Sequence, residues 1–63
     1  MNNQYVIYAQ IARDESETVH WMEFPERFGT QQTALNFAED EGLEQYKVFL
    51  ATSSGLIEVF RHD

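Results

Sequence analysis

The hydrophobic pattern of this chain switches period twice, and the switch constrains its fold more than any single residue does. From Gln4 to Ala12 the residues are rich in β-branched and aromatic types, and Tyr5, Ile7, Ala9 and Ile11 fall on one pleat face. This predicts a first strand. The polar run Arg13-Asp14-Glu15-Ser16-Glu17 breaks the pattern, and Thr18 to Phe24 resumes it with Val19, His20, Trp21, Met22 and Phe24, as a hairpin with an acidic turn would. Pro25 cannot donate to a ladder, so the second strand ends there or lies at a sheet edge.

The period then becomes helical. Thr30 can accept from the free amides of a following first turn, which predicts a helix from Gln31 to Glu41 with Ala34, Leu35, Phe37 and Ala38 on its buried arc. Gly42 supplies a left-handed residue past the helix end, and Leu43 can fold back onto Ala38. Alternation returns over Tyr46 to Thr52 and Leu56 to Arg61, joined by a turn at Ser53-Ser54-Gly55. The expected architecture is α+β: one domain over residues 1–63, ordered β-β-α-β-β, with a mainly antiparallel four-stranded sheet and one helix packed on one face. The spatial order 2-1-3-4 would make every neighbouring pair antiparallel, with the helix covering the crossover.

Length makes this arrangement demanding. A chain of 63 residues buries roughly 60% of its unfolded surface, so the core is thin, and without cysteine it has no disulfide or thiolate zinc site to help. One helix covers one face of the sheet, yet both faces carry large apolar groups. Placing Tyr5, Ile7, Ile11, Val48 and Leu50 under the helix leaves Tyr8, Trp21, Phe49 and Phe60 for the other side, where such a patch marks an interface. The competing expectation is that Phe28, the loop from Pro25 to Gly29 and the chain ends fold over it.

Charge bears on the choice of partner. Eleven carboxylates against only Arg13, Arg27, Lys47 and Arg61 give a formal net charge of −7, which argues against direct nucleic-acid binding and against anionic membranes. In the 2-1-3-4 layout the first hairpin turn and the helix C-terminus share one end. That end gathers Asp14, Glu15 and Glu17 with Glu39, Asp40, Glu41 and Glu44, seven of the 11 carboxylates, with Arg13 and Arg61 as the nearby cations. Carboxylates there face the negative end of the helix dipole, so local stability does not account for them. Such a pole either docks a basic partner or simply keeps the end solvated.

Catalytic signatures are missing from the sequence. His20 and His62 have no further His or Cys at metal-ligand spacing, Ser53 and Ser54 fit turn chemistry, and Gly29, Gly42 and Gly55 are too far apart to cradle a phosphate. No cofactor is expected, and no enzyme activity. Met1-Asn2-Asn3-Gln4 lacks the basic start of a secretory signal and no apolar run suits a membrane span, so the expectation is a soluble, cytoplasmic protein. The sequence reads as a non-catalytic protein-interaction module, homodimeric through its aromatic sheet face or a strand edge, with an acidic pole for a basic partner. Two alternatives stand beside it. One is a nucleic-acid-mimicking inhibitor of the phage or mobile-element kind that occupies a basic groove, although a charged fraction of 24% is ordinary. The other is a small enzyme or a subunit completing another protein's active site, with His20 and the turn serines as its only hooks.

Overall fold

The structure, a computed structural model, describes residues 4–13 and 19–62. Its elements are β1 (Gln4–Arg13), β2 (Val19–Glu23), α1 (Gln31–Asp40), β3 (Tyr46–Thr52) and β4 (Gly55–His62). The four strands form one sheet in the order β2-β1-β3-β4, every neighbouring pair antiparallel. This is the α+β layout that the alternating periods predict.

Helix α1 is fixed at both ends by its flanking residues. The Thr30 side chain accepts from the Thr33 amide at 3.1 Å, which satisfies one free donor of the first turn. At the other end the Gly42 amide donates to the Glu39 carbonyl and the Leu43 amide to the Ala38 carbonyl, each at 3.0 Å, with Gly42 at φ 69°. That pair of bonds is a Schellman cap, and it turns Leu43 back onto the helix as the sequence suggests.

Buried Ala34 and Ala38 bring the helix down onto β1 and β3, where Ile7, Ala9, Tyr46 and Val48 complete the core. Small residues under a helix let it approach closely, and the flanks are then filled by rings. Phe37 packs against Phe24 with centroids 5.6 Å apart and against Phe28 at 5.1 Å. Phe28 arrives there because the chain, after Pro25 has ended the strand, returns to the β1 edge. The Tyr5 amide donates to the Phe28 carbonyl at 2.8 Å, and the Phe28 amide to the Tyr5 carbonyl at 3.0 Å. The loop from Pro25 to Gly29 therefore serves the helix face and does not send Phe28 across the opposite one.

Two irregularities interrupt the ladders. Between β1 and β2 the register steps from Gln10↔Trp21 to Ala12↔His20, leaving Ile11 as an extra residue; the Ile11 side chain, expected under the helix, lies outside the described residues. Between β3 and β4 the register steps from Val48↔Phe60 to Phe49↔Glu58, leaving Val59 extra. An inserted residue reverses the inward and outward alternation beyond it. Among the described residues, no helix is long and apolar enough to cross a membrane.

Candidate interaction site

The sheet face opposite α1 is built from alternate residues of all four strands. Val6 and Tyr8 of β1 stand beside Phe49 and Lys47 of β3, with Glu23 of β2 opposite Tyr8. The rings and charges on this face engage one another. Tyr8 meets Phe49 edge-on, centroids 5.1 Å apart, and its hydroxyl donates to Glu23 at 2.6 Å; Arg27 reaches the other oxygen of Glu23 at 3.2 Å. Lys47 Nζ lies 4.6 Å from the Trp21 ring centroid and 3.8 Å from Glu58, whose same oxygen is 3.4 Å from Arg61.

The β4 bulge makes that last cluster. Residues three apart in a regular strand point to opposite faces. With Val59 inserted, Glu58 pairs with Phe49 and Arg61 with Lys47, so both side chains come to the open face. Three of the chain's four cations thus sit against two carboxylates there, a formal balance of +1 within a protein of net charge −7. Apolar groups lie among them: Trp21 is 40% exposed and Leu56 45%, while Val6 beneath is fully buried.

Of the residues expected on this face, Tyr8, Trp21 and Phe49 come together and Phe60 does not. Phe60 points to the helix side, stacked on Tyr46 with centroids 5.8 Å apart, because the Val59 insertion reverses the parity that regular alternation assigns it. Arg27, Lys47, Glu58 and Arg61 were not expected as members. Three cations spaced far apart in sequence carry no local signal of meeting, and only strand pairing shows it. Arg61, expected beside the acidic pole, spends its guanidinium on Glu58 instead.

The second region is the end of the molecule where α1 stops. Glu39, Asp40, Glu41 and Glu44 are all exposed there, and the Gln10 amide bonds to the Gln45 carbonyl at 3.0 Å, which sets the late part of β1 at the same end. Asp14, Glu15 and Glu17, the other expected members of the pole, lie outside the described residues. The His62 ring closes the end from β4: its Nδ1 donates to the Glu44 carbonyl at 2.7 Å, and it stacks on Tyr46 at 5.4 Å and 17°. Since a carbonyl only accepts, Nδ1 carries the proton, and in the neutral ring Nε2 keeps a lone pair.

Two phenols on opposite faces are harder to ionise than an ordinary tyrosine, for different reasons. Tyr8 is raised chiefly by its hydrogen bond to Glu23, with desolvation and the Glu23 charge adding and Arg27 opposing. Tyr46 is raised chiefly by burial and then by the nearby Glu39 carboxylate.

Among the described residues, no three His, Asp or Glu side chains are grouped to hold a metal ion. Among the described residues the core holds no buried polar residue, and no buried side-chain polar atom lacks a partner. His20 is exposed on β2, and Ser53 and Ser54 occupy the β3–β4 turn, where the Ser54 amide donates to Thr52 Oγ1 at 3.2 Å. Compared with protein-family models, curated proteins and solved structures, the chain matches none of them.

Proposed function

We propose that this protein is a non-catalytic interaction module that pairs with a second copy of itself through the open sheet face and offers its acidic end to a basic partner. The carrying observation is the charge balance of that face. Two chains of net charge −7 repel one another over most approaches. The open face gathers Arg27, Lys47 and Arg61 against Glu23 and Glu58, so two such faces can meet without that penalty, and exposed Trp21 and Leu56 give them apolar surface to bury.

Fold economy favours the same reading. A sheet needs a layer on each apolar face, and the described residues supply one helix. A second sheet at roughly 10 Å would supply the missing layer. Mimicry of a nucleic acid is supported less well, because two of the described carboxylates are committed to cations on the sheet and do not extend the acidic end.

Sedimentation across a concentration series tests the pairing. The wild-type chain should reach twice its 7.4 kDa mass, and Trp21→Glu and Leu56→Glu should each return it to monomer with an unchanged circular dichroism spectrum. A wild-type chain that stays monomeric at the highest concentration would remove the pairing from the proposal.

A further inference from the structure

Between the last turn of α1 and the end of β4 lies a cleft of about 400 Å³, in the range of ligand-binding pockets. Leu35 and Leu43 form its apolar side, Phe60 and His62 its aromatic side over Tyr46, and Glu39 its charged rim. We infer that this cleft seats an arginine side chain of a basic partner. The inference rests on the acidic end being the side that meets such a partner.

The aromatic wall fits a flat cation. Phe60 and His62 stand two residues apart on β4 and both stack on Tyr46, at interplanar angles of 29° and 17°. A guanidinium is planar and weakly hydrated, and it lies flat against rings where an ammonium does not. The rim supplies the charge. Glu39 makes no ion pair among the described residues, so its carboxylate is free to take the two parallel hydrogen bonds that a guanidinium offers.

No described Lys or Arg lines the cleft, and Arg61, the closest in sequence, is held by Glu58 on the other face of the sheet. Asp40, Glu41 and Glu44 extend the negative surface outward from Glu39, and the C-terminal end of α1 adds its partial negative charge. The outer carboxylates attract any basic segment, and the cleft selects arginine within it.

The experiment compares tetra-arginine with tetra-lysine as probes, by nuclear magnetic resonance titration of the full chain at low ionic strength, with Phe60→Leu and Glu39→Gln as variants. Phe60→Leu keeps an apolar side chain and removes the ring, and a retained spectrum shows that each variant folds. Tetra-arginine should bind about tenfold more tightly than tetra-lysine, which corresponds to about 1.4 kcal/mol, and shift the amides of Gly42, Leu43 and Phe60. Both variants should bring the ratio close to one. Equal binding of the two peptides, with shifts spread over Glu39 to Glu44 and no effect of Phe60→Leu, would overturn the cleft while leaving the acidic end as a basic-partner surface. Failure of both peptides to bind would overturn both.

Discussion

Ile7 and Val6 are neighbours in β1, both fully buried, and they face opposite sides of one sheet. Around Ile7 the chain closes its own interior: Ala34 and Ala38 let the helix settle, and Phe28, Phe24 and Phe37 seal the flank. Around Val6 the described residues supply no second layer. Half-exposed rings alternate with ion pairs there. One face is dry and finished by the chain itself, whereas the other is neutralised and left open. A small protein can thus concentrate its stability on one side of a sheet and leave the other for recognition.

The largest expected effect breaks or sharpens this contrast directly. Ile7→Ala should cost about 2–5 kcal/mol, since the helix, β1 and β3 cannot close the cavity without moving together. A domain of this size has little stability to lose, so Ile7→Val, at about 0.5–1.5 kcal/mol, keeps the measurement within reach if the alanine variant does not fold. Val6→Ala removes two methyl groups from a site whose covering side chains can relax into solvent, and should cost roughly 1–2 kcal/mol. Urea denaturation of dilute, monomeric protein checks both. Equal costs for Val6→Ala and Ile7→Ala would mean that the open face is packed as firmly as the closed one.

A smaller effect isolates the helix cap from the packing beneath it. Gly42 has φ 69° and no atom within 4 Å of where a Cβ would stand, so Gly42→Ala meets no clash and suffers only from the left-handed backbone. The expected loss is about 1 kcal/mol. It should leave self-association untouched, because the cap is on the helix side. A change in sedimentation behaviour without a change in stability would show that the two faces are coupled.

The local parts of this structure were legible in the sequence and the non-local parts were not. Thr30 and Gly42 mark the helix ends because capping is a matter of three or four consecutive residues, and the helix expected to Glu41 ends at Asp40 with Glu41 as its cap. Strand β3 has its expected limits, and the order β2-β1-β3-β4 follows from requiring antiparallel neighbours. Phe60 was misplaced because a bulge is decided by how two strands pair, and Leu56 to Arg61 alternates as though no residue were extra. The same bulge hid the meeting of Lys47, Glu58 and Arg61. The competing expectation for Phe28 could not be settled from the sequence, because its direction depends on two backbone hydrogen bonds to Tyr5 that no local pattern announces. In the acidic end, Glu39 to Glu44 were legible as surface charge, but the cleft beside them depends on β4 residues contributed from 18 positions further on, as the His62 contact with Glu44 illustrates.

The smallest effect compares the faces through one phenol on each. Tyr8 and Tyr46 both have folded-state pKa values raised above the ordinary 10.0. A raised value means that the folded state holds the proton more tightly. The associated stability is fully present below about pH 10 and is lost as pH rises through the folded value. The causes differ, so the responses should separate. Tyr8 owes its shift mainly to the Glu23 hydrogen bond on an open surface, and Tyr8→Phe should cost no more than about 1 kcal/mol at neutral pH while flattening part of the alkaline loss. Tyr46 owes its shift first to burial, which salt does not screen, and second to the Glu39 charge, which salt does screen, so most of its shift should persist at high salt. The smaller charge contribution at Tyr8 should weaken with salt. Tyrosinate absorbance followed in Tyr8→Phe and Tyr46→Phe separates the two titrations. Loss of the Tyr46 shift at high salt would mean that the helix-covered face is no better shielded from water than the open one, and the contrast between them would fall.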